Sequence, residues 1–373
     1  MRPLEGLLVL DFSTLLPGPL ATLMLRQAGA RVLKFERPES GDDMRGYEPQ
    51  WGDSGINFAL LNAGKESLTI DLKDPAALAG LRPLIEKADV LVEQFRPGVM
   101  ARLGLGYATL SAINPRLIYC SITGYGQTGQ KKGVAAHDLN YIAETGLLGL
   151  SMGAPDSPVL PPALIADIAA GTYPALFNIL LALQQRTKTG RGCQLDVAMT
   201  DNLFTFMYWA IGNHAVTGET SANGDELVTG GSPRYNLYPT RDGRMVAAAP
   251  IEQKFWENFC ALIDLEPELW NSALNPDATK QRIAELIRGH DASYWEAKFR
   301  TSDCCCVIVR TIEEALNDPH FQSRGLFESR VRNAAGAETM ALPLPLVEGF
   351  RSTLGTVSEV PSLGGGNAKY FGQ

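Results

Sequence analysis

The hydrophobic pattern changes its period along the chain, and those changes divide it into parts. Short apolar runs recur through the first half, at Leu7–Phe12, Ala30–Phe35, Asp89–Val92 and Leu117–Ile122. Short apolar runs bounded by turn residues predict strands buried on both faces. Segments of helical character lie between them. Residues 20–28 follow the Leu16-Pro17-Gly18-Pro19 punctuation and stop at Gly29. Asp74 before Pro75 predicts an N-cap and first helical position, opening one helix to about Ala88 with Pro83 inside it. Strands alternating with helices predict a parallel α/β sheet.

Farther on, 168–186 is apolar most of the way round and predicts a buried helix. A turn at Thr189-Gly190-Arg191-Gly192 leads to a strand over Cys193–Met199 and an apolar helix near 201–216. Residues 218–234 are rich in Gly, Ser, Thr and Asn and read as a loop. After them come Met245–Ala249, amphipathic helices near 252–263 and 278–289, and the run Asp303–Val309. That run predicts a buried strand, because free cysteine behaves as a small hydrophobe. The expected organisation is a large domain over 1–205 and 326–373, a linker over 206–223 and a small domain over 224–325. The last thirty or so residues look loop-rich, ending in Gly364-Gly365-Gly366.

Composition narrows the function. A chain of 373 residues suits about two domains, and 45% hydrophobic with 20% charged residues suits a soluble enzyme. A net charge of −8 argues against a nucleic-acid partner, which needs a basic surplus. The six cysteines are Cys120, Cys193, Cys260, Cys304, Cys305 and Cys306, and none forms a CxxC pair. Neither a disulfide framework nor a structural zinc site is expected, and reduced thiols suggest the cytoplasm. Asp11, Pro17 and Pro19 break the first apolar run as a signal peptide. Asp167 and Pro174 make 163–183 a poor membrane span, so no membrane partner is expected.

Several residues carry candidate chemistry. Gly124-Tyr125-Gly126-Gln127-Thr128-Gly129 matches a dinucleotide fingerprint, but the Gln130-Lys131-Lys132-Gly133 that follows is loop-like where a helix should open. A tight glycine turn fits better. Arg37, Lys65, Lys73, Arg96 and Arg102 cluster near predicted strand ends, two of them in Arg-Pro pairs. Strand ends of an open α/β sheet bind ligands, so these cations suit a phosphate-bearing anion; ordinary surface charge suits them equally. His137 opens an apolar helix, where imidazolium is disfavoured and a neutral base is favoured, or where it makes a cap contact. Asp167 stands alone at the start of the long apolar helix, as an N-cap or as a partly buried base or nucleophile. Glu252 opens another helix, with the same capping alternative.

In order along the chain, these segments resemble the class III CoA-transferase superfamily. The resemblance is carried by Leu10-Asp11-Phe12 with Gly18-Pro19, Lys34–Pro38 with Gly41-Asp42, Ser67–Lys73, Phe95–Val99, the 124–129 motif and Thr189–Gly192. Within it, the chain looks most like the α-methylacyl-CoA racemases, through Ala136-His137-Asp138-Leu139-Asn140-Tyr141, Gly230-Gly231-Ser232-Pro233-Arg234-Tyr235 and Ile251-Glu252 before Phe255-Trp256. The resemblance implies a Rossmann-like large domain with a parallel sheet and a smaller α/β domain, in an interlocked homodimer. It implies His137 and Asp167 as catalytic bases supported by Glu252. It implies an acyl-CoA substrate contacted by Arg37, Ile70, Asp71, Leu72, Lys73, Phe95, Arg96, Arg102, Tyr125 and Asp138. The expected activity is racemisation of 2-methylacyl-CoA thioesters, with no metal and with coenzyme A only as part of the substrate. The alternative is a CoA-transferase in which Asp167 attacks the thioester and forms an anhydride. A non-catalytic acyl-CoA binder would need the arginines and not His137.

Overall fold

Six strands of the chain pair side by side, all parallel; four are the predicted apolar runs and a fifth is the strand predicted over Cys193–Met199. They are β1 (Leu8–Phe12), β2 (Arg31–Glu36), β3 (Glu66–Thr69), β4 (Val90–Glu93), β5 (Ile118–Thr123) and β6 (Gln194–Ala198), in the order β3-β2-β1-β4-β5-β6. Every residue of β4 and β5 is buried, as helices on both faces of a parallel sheet require. This strand order winds outward in two directions from the β1–β4 pair, where Val9 lies opposite Val90. The loops beyond the carboxyl ends of those two strands diverge, and a crevice opens between them.

The computed structural model describes residues 2–151, 153–154 and 156–372. The chain forms two units, one of 1–142, 163–204 and 319–373, the other of 143–162 and 205–318. These differ from the expected boundaries: 143–162 go with the second unit, and 206–223 is no simple linker but carries the helix Tyr208–Thr217. The β sheet belongs to the first unit. The second holds a three-stranded antiparallel sheet of β7 (Asn236–Pro239), β8 (Met245–Ala248) and β9 (Cys306–Ile308). Its core is built from Trp256, Phe259, Ile283, Ile287 and Trp295 on the helices beside that sheet.

Three local expectations are corrected. The helix expected from Pro75 to Ala88 is two pieces, Pro75–Gly80 and Arg82–Ile85; Pro83 donates no N–H and clashes with the turn before it. The strand expected over Asp303–Val309 is confined to β9, because Cys305 takes a left-handed φ of 51° and breaks the extended run. The apolar segment 168–186 is not buried all round. It is a π-helical turn, Ala166–Thr172, continuing into the helix that we label α3 (Tyr173–Thr189) after α1 (Pro17–Gln27) and α2 (Asp138–Glu144). α3 packs Ala175, Ile179, Ala182 and Arg186 inward, with Arg186 paired to Asp89 at 2.8 Å. The sheet covers only that side. Tyr173, Phe177, Leu180 and Leu181 stay exposed on the other, Phe177 by 63%. By length and composition alone, 166–189 is apolar enough to cross a membrane, the one such helix among the described residues.

Candidate active site

Two clefts open at the carboxyl ends of the sheet strands and meet at Thr14 and Phe95. Thr14 follows β1 and Phe95 follows β4, so the meeting point is the crevice that the strand order creates. The larger cleft, about 700 Å³, lies over β1, β2 and β3. Its floor is apolar, with Phe12, Phe35, Ile70 and Leu72, and the Phe12 and Phe35 rings stack at 4.3 Å. Arg37 and Lys73 stand at its edge. Arg37 bonds the Gly41 carbonyl at 3.1 Å and pairs with Asp43, which closes the loop after β2 on itself. An apolar floor with cations at the rim suits a flat ring system bearing anionic groups.

The smaller cleft, about 390 Å³, lies over β1, β4 and β5. His137 and Asp167 both line it, with Arg96, Tyr125 and Lys132. His137 immediately precedes α2; its carbonyl accepts the N–H of Asn140 at 2.9 Å, and its own N–H bonds the Asn140 side chain at 3.0 Å. Asp167 sits in the first turn of the π-helical segment. A π turn spaces its backbone bonds one residue wider than an α turn and occurs frequently at functional sites. Neighbours hold it open: Thr172 Oγ1 donates to the Pro17 carbonyl at 2.8 Å, and the Asn202 amide donates to the Ala170 carbonyl at 2.8 Å. Gly171 lets it close against Met199 and Pro17, since a Cβ there would lie 3.0 Å from the Met199 sulfur.

Burial pushes the Asp167 carboxyl up to about 7, and the like charge of Asp138 adds to the push. A carboxyl shifted this far toward neutral pH can both give up and take up a proton there, which suits an acid–base group. The helix start does not oppose the shift, because Asp138 takes the role expected of Asp167. Asp138 accepts the Asp167 N–H at 2.9 Å and those of Ala166 and Ile165 besides. It is 5% exposed and lines neither cleft, so the expected ligand contact at Asp138 is corrected to that of a cap beneath Asp167.

Of the other residues singled out, Ile70, Asp71, Leu72, Lys73 and Arg37 come together in the larger cleft, Arg96 and Tyr125 in the smaller, and Phe95 in both. Arg102 ends a four-residue helix and lines neither cleft; its neighbour Leu103 turns inward instead. Glu252 belongs to the second unit, as the N-cap residue of α4 (Gln253–Leu262) with no side-chain cap bond. The glycine motif opens no helix; Gly126 and Gly129 turn at φ of 81° and 82°. Gly124 is needed for contact, since a Cβ there would lie 2.3 Å from the Tyr141 ring that packs on Tyr125. Sequence reasoning missed Thr14, Gln94 and Tyr141 as cleft residues. Gln94 has no motif of its own, and its side-chain oxygen accepts the Gly18 N–H at 2.9 Å.

The model of CoA-transferase family III matches residues 4–365 of this chain. The chain belongs to that family. The family III chain is 33% identical over 327 residues to the α-methylacyl-CoA racemase of Homo sapiens, covering 87% of this chain and 82% of the relative. It is 35% identical over 373 residues to the succinyl-CoA:glutarate CoA-transferase of Homo sapiens, covering 98% of this chain and 84% of the relative. Its fold matches a CAIB/BAIF family protein from Brucella suis with a TM-score of 0.83 at 27% identity, over 99% of this chain and 98% of that one. The chain thus has the family III fold and is an enzyme of CoA-transferase family III. Racemase and transferase relatives stand at similar identity.

Proposed function

We propose that the protein racemises 2-methylacyl-CoA thioesters by moving the α-proton from one face of the carbon to the other. The observation that carries this reading is that His137 and Asp167, from two separate helix starts, line one cleft. A thioester acidifies its α-proton because the carbanion delocalises into the carbonyl. One group removes that proton as base, giving an enolate, and the other returns a proton as acid to the opposite face. Two starting states complete the cycle: His137 neutral with Asp167 protonated, and His137 protonated with Asp167 ionised. The Asp167 carboxyl, held near 7, serves as acid or base at neutral pH with little loss to mismatch. The coenzyme A part of the substrate would fill the larger cleft, with its ring on the Phe12–Phe35 floor and its phosphates toward Arg37, Lys73 and Arg96. Coenzyme A enters here as substrate and no separate cofactor is invoked. Glu252 is kept as the proposed supporting residue that the family resemblance implies.

The transferase reading is kept alive by the glutarate transferase relative, at 35% identity. In that chemistry Asp167 attacks the thioester as nucleophile, and a free carboxylate acceptor is required. The deciding experiment is incubation with a single epimer of a 2-methylacyl-CoA in heavy water. Deuterium at the α-carbon together with the opposite epimer supports racemisation. Acceptor-dependent turnover without α-exchange replaces it by the transferase.

Arg96→Ala tests the binding half of the proposal. Loss of a charged contact to phosphate should weaken coenzyme A binding by roughly ten- to a hundredfold in calorimetry. Unchanged affinity would remove Arg96 from the site.

The proposal includes a homodimer in the cytoplasm. Its support is the apolar row of Tyr173, Phe177, Leu180 and Leu181 left uncovered on α3. Sedimentation at micromolar concentration should give about twice 40.4 kDa. A stable, active monomer would contradict it.

A further inference from the structure

Beneath the point where the two clefts meet lies a buried ion pair that the proposed chemistry does not use. Lys34 is on β2 and Asp42 is in the loop after β2; both side chains are fully buried, with Nζ and Oδ2 2.9 Å apart. Lys34 Nζ also donates to the Ser13 carbonyl at 2.9 Å. The Asp42 carboxylate accepts the Leu15 N–H at 3.3 Å and the Met44 N–H at 3.0 Å. The pair therefore grips the chain on each side of Thr14, by the carbonyl before it and the N–H after it. Thr14 is one of the two residues, with Phe95, that line both clefts.

Leu15 shows that this grip is needed. Its φ is 60°, the left-handed region that a leucine side chain disfavours. Backbone of that kind persists only where its surroundings over-determine it. The other groups of Ser13 are also taken: its N–H bonds Asp11 at 3.0 Å, and its hydroxyl donates to Asp11 as well. On the far side, the Asp42 N–H donates to Glu36 at 3.0 Å, and Glu36 is held by Arg45 at 2.7 Å. The loop that Asp42 anchors is the one that carries Arg37 to the larger cleft.

The geometry points to Lys34 and Asp42 as positioning residues that lock the loops after β1 and β2 into one rigid corner, so that the substrate finds both clefts already aligned. The ligand's identity as coenzyme A rests on the reading proposed above; the locking does not. A lock formed before binding removes an ordering cost that the ligand would otherwise meet.

The test uses Lys34→Met, Asp42→Asn and the double variant Lys34→Met/Asp42→Leu in the full chain. The singles leave a buried charge without its partner and are expected to be less stable. The double variant removes both charges and should recover part of the stability that the singles lose, Asp11 and Glu36 still lacking the Lys34 charge beside them. It should still bind coenzyme A about tenfold more weakly, because nothing holds Thr14 in place. Amide exchange measured without ligand should be about tenfold faster over residues 13–16 in the double variant, and unchanged over β5. A double variant with native affinity and native exchange would reduce the pair to a structural role and overturn the proposal. Native protein with no affinity for coenzyme A would overturn the ligand reading alone, while the ligand-free exchange still decides the lock.

Discussion

His137→Ala is expected to abolish inversion of a 2-methylacyl-CoA while leaving slow deuterium exchange of one epimer, and Asp167→Ala to leave exchange of the other. In the proposed mechanism each group serves its own side of the α-carbon, so removing one would leave the partner able to pull and return a proton on its own side only. The loss of inversion should be on the order of 10²–10⁴-fold, the usual worth of one positioned acid or base. The asymmetry is the informative part, because simple damage to the cleft would slow both epimers alike. Asp167→Asn keeps the shape and removes the titration, so it should behave as Asp167→Ala does. Mass spectrometry of both epimers in heavy water reads all of this. Tolerance of His137→Ala, with Asp167 trapped by hydroxylamine during turnover, would sink the two-base mechanism.

Lys65→Met is expected to cost about 3–5 kcal/mol in urea unfolding, because it leaves a buried carboxylate without its partner. Lys65 Nζ pairs with Asp11 at 3.1 Å, with neither side chain exposed, and it reaches Pro19 O, Thr22 Oγ1 and Asn62 Oδ1 within 2.9 Å. Burial pulls the ammonium down to about 8, although Asp11 opposes this. Burial would push Asp11 up, yet Lys65 and Lys34 outweigh it and hold the carboxyl at about 2. Both groups are shifted downward, which favours the charged carboxylate and opposes the charged ammonium. The carboxylate's direction governs, because four acceptors around Nζ keep the ammonium charged at neutral pH. A depressed carboxyl contributes stability above its unfolded value near 3.8, and loses it as pH falls toward 2. Without Lys65 the Asp11 carboxyl rises, so the variant should also unfold at a higher pH on acidification. Replacing both, as Lys65→Met/Asp11→Leu, should recover part of the loss. A single variant as stable as the native protein would show that the pair carries no net weight.

The sheet was legible because its strands are short apolar runs and its crossovers obey turn chemistry that sequence states directly, as at Asp74-Pro75. β3 was less so: Glu66–Thr69 mixes polar and apolar residues, and it is a strand only because β2 lies beside it. The two clefts were visible as a set of residues at strand ends, but not as two spaces meeting at Thr14 and Phe95. Asp138 was misplaced because adjacency to His137 hides a side chain aimed the other way, into the helix start below Asp167. The charges on β1 and β2 did leave a trace that sequence reasoning passed over. Asp11, Lys34 and Glu36 interrupt strands that are otherwise apolar, and a charge inside a central strand has to find its partner within the protein. Leu15's left-handed backbone left none.

The π turn at Ala166–Thr172 also sets how this helix tolerates change in length. It holds one residue more than an α-helix of the same rise, and each helical residue advances the chain by about 100°. An extra residue absorbed within one turn leaves the helix on both sides in phase, so dropping one residue there restores ordinary α-helix with α3 still in its seat through Arg186 and its alanine face. The change is confined to the turn itself, where the Ala170 carbonyl has to realign with the Asn202 amide and the first N–H groups with the Asp138 carboxylate. A three-base deletion can therefore reach the Asp167 turn while leaving every core contact of the sheet in place.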